Sequence, residues 1–332
     1  MANKIVSADG HMDLFYLPTD TFTSRVSAHM RDRVPRVIDI DGKPTWVGDG
    51  AQMGAHAAWM GRGQMTTHRG RRMAEAGWQP SHPADPKWRL ADLDMDGVEA
   101  EVIYGIRFIE DSIKDPEVIA ATYHAYNDFI AEFSSYNPKR FIGIANIPAS
   151  SADAASAELR RVGKHGLGLR GAMIDWFNGP EPIWHTMWEP MWAAAEENEV
   201  ALSFHIGVGH GTTTCGPISV EQKLKGDLPR VSQATHQAVV AMQADECLVA
   251  ILLCGALERH PGLKVVMAES HIGWFPYVLE RLEIKYKEGM YDDLIGTPPS
   301  TLFNRQVWAT FQDDKVGALL AKDYGANSFC WA

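Results

Sequence analysis

Short apolar runs, separated by stretches of helical periodicity, recur along the chain. The runs cover residues 5–8, 100–104 (AEVIY), 141–146 (FIGIAN), 172–175, 201–205 (ALSFH), 264–268 (KVVMA), 307–310 and 328–331. Brief apolar segments of this kind, rich in Val, Ile and Phe, suit strands buried on both faces. Between them the spacing predicts helices over 89–96, 116–136, 152–165, around 192–198, over 233–260 and over 274–287. Pro116 falls at a first-turn position, where its missing N–H costs nothing, and Pro261 stops the longest helix. Eight strands with helices between them predict an α/β fold, a (β/α)8 TIM barrel. A doubly wound open sheet with a dinucleotide site is unsupported, because no G-x-G-x-x-G follows the first run.

Two departures from a minimal barrel stand out. Residues 14–88 form a long insertion after the first strand, rich in Gly, Trp, Met and His. In a barrel it hangs over the catalytic face, either as a lid that lines the substrate or as a surface excursion making an oligomer contact. Its Trp46, Met53, Trp59, Met60 and Met65 suit an apolar substrate, although packing on the barrel explains them more simply. The chain also stops at Ala332, at the eighth strand, as if the barrel were cut short there. Without repeats or linkers, residues 1–332 are expected to form a single domain.

Composition narrows the function. The chain has 31 Lys plus Arg against 42 Asp plus Glu, a net charge of -11, which argues against a nucleic-acid partner. No run of about 18 apolar residues predicts a membrane span, and the N-terminus lacks the apolar core of a signal peptide. Cys215, Cys247, Cys254 and Cys330 are scattered without C-x-x-C pairing, as expected of reduced thiols in a cytoplasmic protein.

Candidate chemistry sits at the strand ends, where side chains point into a barrel's mouth. Asp9-Gly10-His11 closes the first strand, His205 the fifth, and Glu269-Ser270-His271 the sixth. Imidazoles and carboxylates converging there suit a divalent ion, Zn2+ first and Mn2+ second. Arg107, just past the second strand, could pair with a substrate carboxylate or simply with Glu110 or Asp111. His185 and His210 fall on the same side and are candidates for touching substrate. The remaining histidines, among them His56, His124 and His260, are expected on solvated loops and helix faces.

These segments resemble, in order, the amidohydrolase-related family and its branch around aminocarboxymuconate semialdehyde decarboxylase. The likeness runs through VSADGHMD, DLDMDGVEAEVIYG, RFIGIANIP, PMWAAAEENEVALSFHIG and HPGLKVVMAESHIGWFPYVLERLE. It implies that Asp9 and His11 are the first-strand metal ligands, in the carboxylate-x-His form, and that His205 is the fifth-strand ligand. It implies that His271, with Glu269 as rival, faces substrate or metal. In the family the eighth strand normally continues into Ser-Asp, whose Asp is a ligand and the usual base; this sequence reads SFCWA and stops before that pair, so no residue is assigned to the role. The resemblance favours non-oxidative decarboxylation of an aromatic or unsaturated carboxylic acid, with His271 handling the proton. Hydrolysis of an amide, ester or lactone by metal-activated water is the alternative, and a non-catalytic binding barrel the third reading. It also implies a small-molecule carboxylate partner and a homodimer or homotetramer.

Overall fold

The computed structural model describes residues 4–56, 82–206, 212–213, 216–217, 238–324 and 326–332. Strand β1 (Ile5–His11) opens the chain, and an antiparallel sheet of β2 (Arg36–Ile40), β3 (Lys43–Gly48) and β4 (Ala51–Ala55) follows. Then come β5 (Val98–Tyr104), β6 (Phe141–Gly143), β7 (Ala145–Ile147), β8 (Gly171–Ile174) and β9 (Ala201–His205). A two-stranded ribbon, β10 (Thr212–Thr213) with β11 (Gly216–Pro217), precedes β12 (Val265–Ala268), β13 (Val307–Phe311) and β14 (Phe329–Trp331).

Each of the eight apolar runs is a barrel strand, and all the pairings among these strands are parallel. The ladder runs β1-β5-β6 and then β7-β8-β9-β12-β13-β14. The two arcs meet at the third run, which is two short strands rather than one. Ile144 lies between them and donates its N–H to Ile103 O at 2.9 Å. On the other side, Cα atoms of β1 and β14 approach within 8 Å, which brings the two ends of the wall together.

Strand alternation divides the buried side chains into two layers. Tyr104, Ile144, Met173 and Ala268, with Val102, fill the inside of the barrel. Ile103, Ala145, Ile174, Leu202, Phe204, Val265 and Met267 face outward onto the helices and belong to the main core. A fully buried Ile, Leu or Phe stabilises by about 1.5–3 kcal/mol, so the larger outer layer carries most of the fold.

The helices mostly follow the predicted pattern. Helix α1 (Pro86–Asp96) is capped by Asp85, whose carboxylate accepts from Lys87 and Trp88 N–H. Next come α2 (Ile109–Ser112), α3 (Pro116–Ser135), α4 (Ala152–Val162) and α5 (Glu189–Glu197). The single helix expected over 233–260 is not observed. Residues 233–237 lie outside the described residues; residues 238–239 are helical and lead into a 3-10 segment (Val240–Ala244), α6 (Asp245–Leu253) and α7 (Ala256–Arg259). Gly255 causes the break: it sits at φ +77°, a left-handed conformation that no continuous helix tolerates. Helices α8 (Phe275–Lys287), α9 (Pro299–Gln306) and α10 (Lys315–Leu320) follow among the described residues.

The described part of the insertion packs where the second strand ends. Trp46 is fully buried against Phe22, and Arg33 reaches Asp115 at 2.7 Å, just before α3. The insertion's remainder, with Trp59, Met60 and Met65, lies outside the described residues. Of the histidines expected on solvated surfaces, His124 does sit on an exposed helix face, while His56 and His260 are half-buried, and all three have partners. His56 contacts Leu17 O at 3.3 Å, His124 pairs with buried Glu158 at 2.7 Å, and His260 lies between Glu189 and Glu196 at 2.8 and 3.0 Å. Sequence position alone could not show these carboxylates, which come from other elements. Among the described residues, no helix is long and apolar enough to cross a membrane.

Candidate metal centre

Three side chains from opposite parts of the sequence meet at the mouth of the barrel. Asp9 Oδ1 lies 3.4 Å from His11 Nε2 and 3.4 Å from His205 Nε2, and the two nitrogens are 3.3 Å apart. A tetrahedral ion with bonds of about 2.0 Å has ligand–ligand edges of about 3.3 Å, so the triangle has the dimensions of a metal-ligand face. Among the described residues this is the one His/Cys/Asp/Glu group with metal-holding geometry.

The protonation pattern agrees. The Nδ1 of His205 lies 2.5 Å from Ile206 O, and a carbonyl only accepts, so Nδ1 is the donor there and Nε2 is the nitrogen left facing the triangle. The Nδ1 of His11 faces Asp13 Oδ1 at 3.7 Å. Asp9 Oδ2 accepts from Thr310 Oγ1 at 2.6 Å and from Glu269 N–H at 2.8 Å, which leaves Oδ1 buried without a hydrogen-bond donor. A buried carboxylate oxygen without a hydrogen-bond donor, set beside two imidazole Nε2 atoms, is a site built for a cation. Burial acts to raise the Asp9 pKa, but His205 and His11 overcome it and hold the carboxyl well below the usual range. Burial likewise opposes a charged His11, yet Asp13 and Asp9 prevail and push its pKa up to about 9. A proton on His11 thus occupies the place that a cation would take.

A cleft adjoins the triangle and shares His205 with it. Arg107, Phe108, Tyr123, Asp175 and Phe177 also line it. Arg107 directs its guanidinium to Glu269 and Asp13. Its Nη1 is 3.4 Å from Glu269 Oε2 and its Nε 3.8 Å from Asp13 Oδ1, with Nε buried and without a hydrogen-bond acceptor. Behind the cleft, burial lifts the Glu110 carboxyl to about 7, and Ala149 N–H and Tyr123 hold it in place.

The expected residues thus divide. Asp9, His11 and His205 come together, and Glu269 joins their edge, with Oε2 3.7 Å from His205 Nε2. His271 is not part of the triangle; its backbone takes φ +52° and it lies close enough to Asp314 to influence its charge. His185 is exposed and caps a 3-10 turn by accepting Met187 N–H at 3.2 Å. His210 lies outside the described residues. Sequence reasoning missed Asp13 and Thr310. Asp13 continues the alternation of Asp9-x-His11, and Thr310 closes the seventh strand, so the strand-end rule extended to every strand would have found it.

Known proteins share this architecture. The chain is 27% identical over 201 residues to the 2-amino-3-carboxymuconate-6-semialdehyde decarboxylase of Dictyostelium discoideum, a match covering 60% of this chain and 51% of that protein. The chain therefore spans about half the length of the curated relatives it matches. An amidohydrolase from Mycobacterium avium subsp. paratuberculosis superposes with a TM-score of 0.68 at 17% identity, covering 99% of this chain and 88% of the other. The 5-carboxyvanillate decarboxylase of Novosphingobium aromaticivorans, solved with bound manganese and a nitrobenzoic acid, superposes at 0.66 and 15% identity, covering 100% and 86%. At these identities the structural likeness is one of fold. Residues 39–332 match the amidohydrolase family, so the chain belongs to that family.

Proposed function

We propose that the protein is a metal-dependent non-oxidative decarboxylase acting on an aromatic or unsaturated carboxylic acid. The observation that carries this reading is the Asp9–His11–His205 triangle opening onto a cleft that holds Arg107. Relatives named as decarboxylases, one of them solved with manganese, support it. A bound divalent ion, Zn2+ or Mn2+, would orient the substrate carboxylate and an adjacent oxygen, and stabilise charge that develops as the bond breaks.

The chain's own residues do the rest. Arg107, with a buried Nε lacking an acceptor, pairs with an anionic oxygen of the substrate. Phe108 and Phe177 in the cleft wall flank a flat ring or diene. Decarboxylation breaks the C–C bond, leaves its electron pair on carbon and requires one proton there while CO2 departs. Glu269 is the group placed to move that proton, since its carboxylate stands between Arg107 and His205. His271 would serve only if the loop beside Asp314 swung it toward the cleft. The same reading carries a small-molecule carboxylate as partner, a cytoplasmic setting and a homodimer or homotetramer, the last checked by sedimentation.

The test combines elemental analysis with a screen of hydroxylated aromatic and unsaturated carboxylates for CO2 release by Mn2+- and Zn2+-loaded protein. About one ion per chain, lost in an Asp9→Ala, His11→Ala double variant together with CO2 release, is the expected outcome. Metal-loaded protein that instead turns an amide, ester or lactone into a new acid, with no CO2 from any carboxylate, would overturn the reading in favour of hydrolysis.

A further inference from the structure

We infer that Arg89 and Glu101 form a clamp that positions the Asp9/His11 ligand pair, and that residue 10 is glycine because the clamp occupies the space of its side chain. The inference rests on the reading of the triangle as a metal site.

The geometry begins with the pairing of β1 and β5. Ser7 lies opposite Glu101 and Gly10 opposite Ile103, so β1 holds one extra residue between them, a β-bulge at the approach to Asp9. A bulge re-aims the side chains around it but disrupts the ladder, so the bulged strand end needs another anchor. Beyond the bulge, Asp9 and His11 face the barrel's interior and Gly10, between them, faces the outer layer. A Cβ built on Gly10 would land on the Glu101 carboxylate.

That carboxylate is held there by a buried fork. Arg89 Nε donates to Glu101 Oε2 and Nη2 to Oε1, both at 2.7 Å. The third nitrogen, Nη1, donates to the main-chain carbonyl of His11 at 3.0 Å and to Pro83 O at 3.1 Å. Arg89 and Glu101 are 7% and 8% exposed, between α1 and the barrel wall. One guanidinium therefore ties together β5, the end of β1 at a ligand, and the turn that returns from the insertion. A planar fork fixes direction as well as distance, which a lysine ammonium cannot reproduce. Because the bond is to the His11 backbone, the clamp acts through the ligand and never touches the ion: Arg89 and Glu101 are positioning residues.

The experiment is a titration of full-length protein with Mn2+, followed by the EPR signal of the free ion. Wild type is measured first, and failure to bind Mn2+ would overturn the triangle's assignment itself. The informative variant is the double replacement Arg89→Met, Glu101→Leu. Buried ion pairs replaced by apolar residues commonly keep their fold, whereas this exchange deletes the bond to His11. It is expected to melt close to wild type without metal yet bind Mn2+ roughly 10–100-fold more weakly, with faster hydrogen exchange around residues 10–12. Gly10→Ala is expected to weaken Mn2+ binding similarly. Glu99→Gln, which removes an exposed pair with Lys4 on the same strand, is expected to leave Mn2+ affinity unchanged. Should the double variant not fold, Arg89→Lys decides by the same titration, since it keeps the charge and loses the fork. Wild-type Mn2+ affinity in the folded double variant, or in Arg89→Lys, would overturn the clamp.

Discussion

The ends of the first and sixth barrel strands carry the same spacing, Asp9-Gly10-His11 and Glu269-Ser270-His271, and the fold uses them differently. At the first, the backbone stays extended past a bulge, and both acid and imidazole point to one centre. At the sixth, Glu269 and His271 take φ of +54° and +52°, a left-handed conformation costing non-glycine residues about 1 kcal/mol or more each. The turn is held by Asp314, which accepts from Ile272 N–H at 2.6 Å and Gly273 N–H at 2.7 Å, and by Ser270 Oγ donating to Met267 O at 3.0 Å. It sends the Glu269 N–H to Asp9 and the Glu269 carboxylate to Arg107, while His271 leaves the triangle. Spacing therefore nominates ligands, and backbone conformation elects them.

The largest expected effect separates the two ends directly. Asp9→Ala should lose nearly all bound metal, since an open face of two imidazoles remains, whereas His271→Ala should keep wild-type content by elemental analysis. Next is Thr310→Val, which removes the hydroxyl donating to Asp9 Oδ2 at 2.6 Å. It should weaken Mn2+ binding roughly 10–100-fold in a calorimetric titration. Asp314→Ala, which unties the sixth-strand turn, should instead lower the melting temperature, with a cost of about 1–3 kcal/mol, and leave metal content intact. An equal loss of metal in Asp314→Ala and Asp9→Ala would erase the distinction.

A pH ramp on metal-free protein sharpens the comparison further. The folded pKa of His11, about 9, lies above its ordinary 6.5, so its contribution is complete below 6.5 and is lost as pH rises through 9. Asp314 is held below its ordinary 3.8 by the N–H groups it accepts, despite partial burial, so its contribution is complete above 3.8 and lost only in acid. Hydrogen exchange should accordingly speed up at residues 9–12 between pH 6.5 and about 9, after correction for intrinsic rates, with no matching change at 269–273. The smallest effect is that of Glu269→Gln. Its pairing with Arg107 is partly exposed and 3.4 Å long, so stability should shift by about 1 kcal/mol or less while metal content is kept. CO2 release should fall far more than stability if Glu269 moves the proton.

Much of the barrel was legible because its signals are local. A buried strand announces itself in a few consecutive apolar residues, and a helix in a period of 3.6, so all eight strands and most helices lie where the pattern puts them. The exceptions were local as well, and Gly255 at the break in 240–259 was open to view in the sequence. Asp9, His11 and His205 were also legible, because alternating strands and helices place the strand ends at one mouth whatever fills the space between.

What the sequence by itself determined is therefore the βα order, the barrel and the three strand-end residues able to meet at its mouth. Only the tertiary structure decided which neighbours complete the site. Thr310 reaches Asp9 across 301 positions and Glu269 reaches it across 260, while Arg89 finds the His11 carbonyl across 78. No periodicity encodes such pairs. They exist because closing the wall brings distant strand ends within hydrogen-bond range, where burial makes every unpaired polar atom costly and so selects the partners.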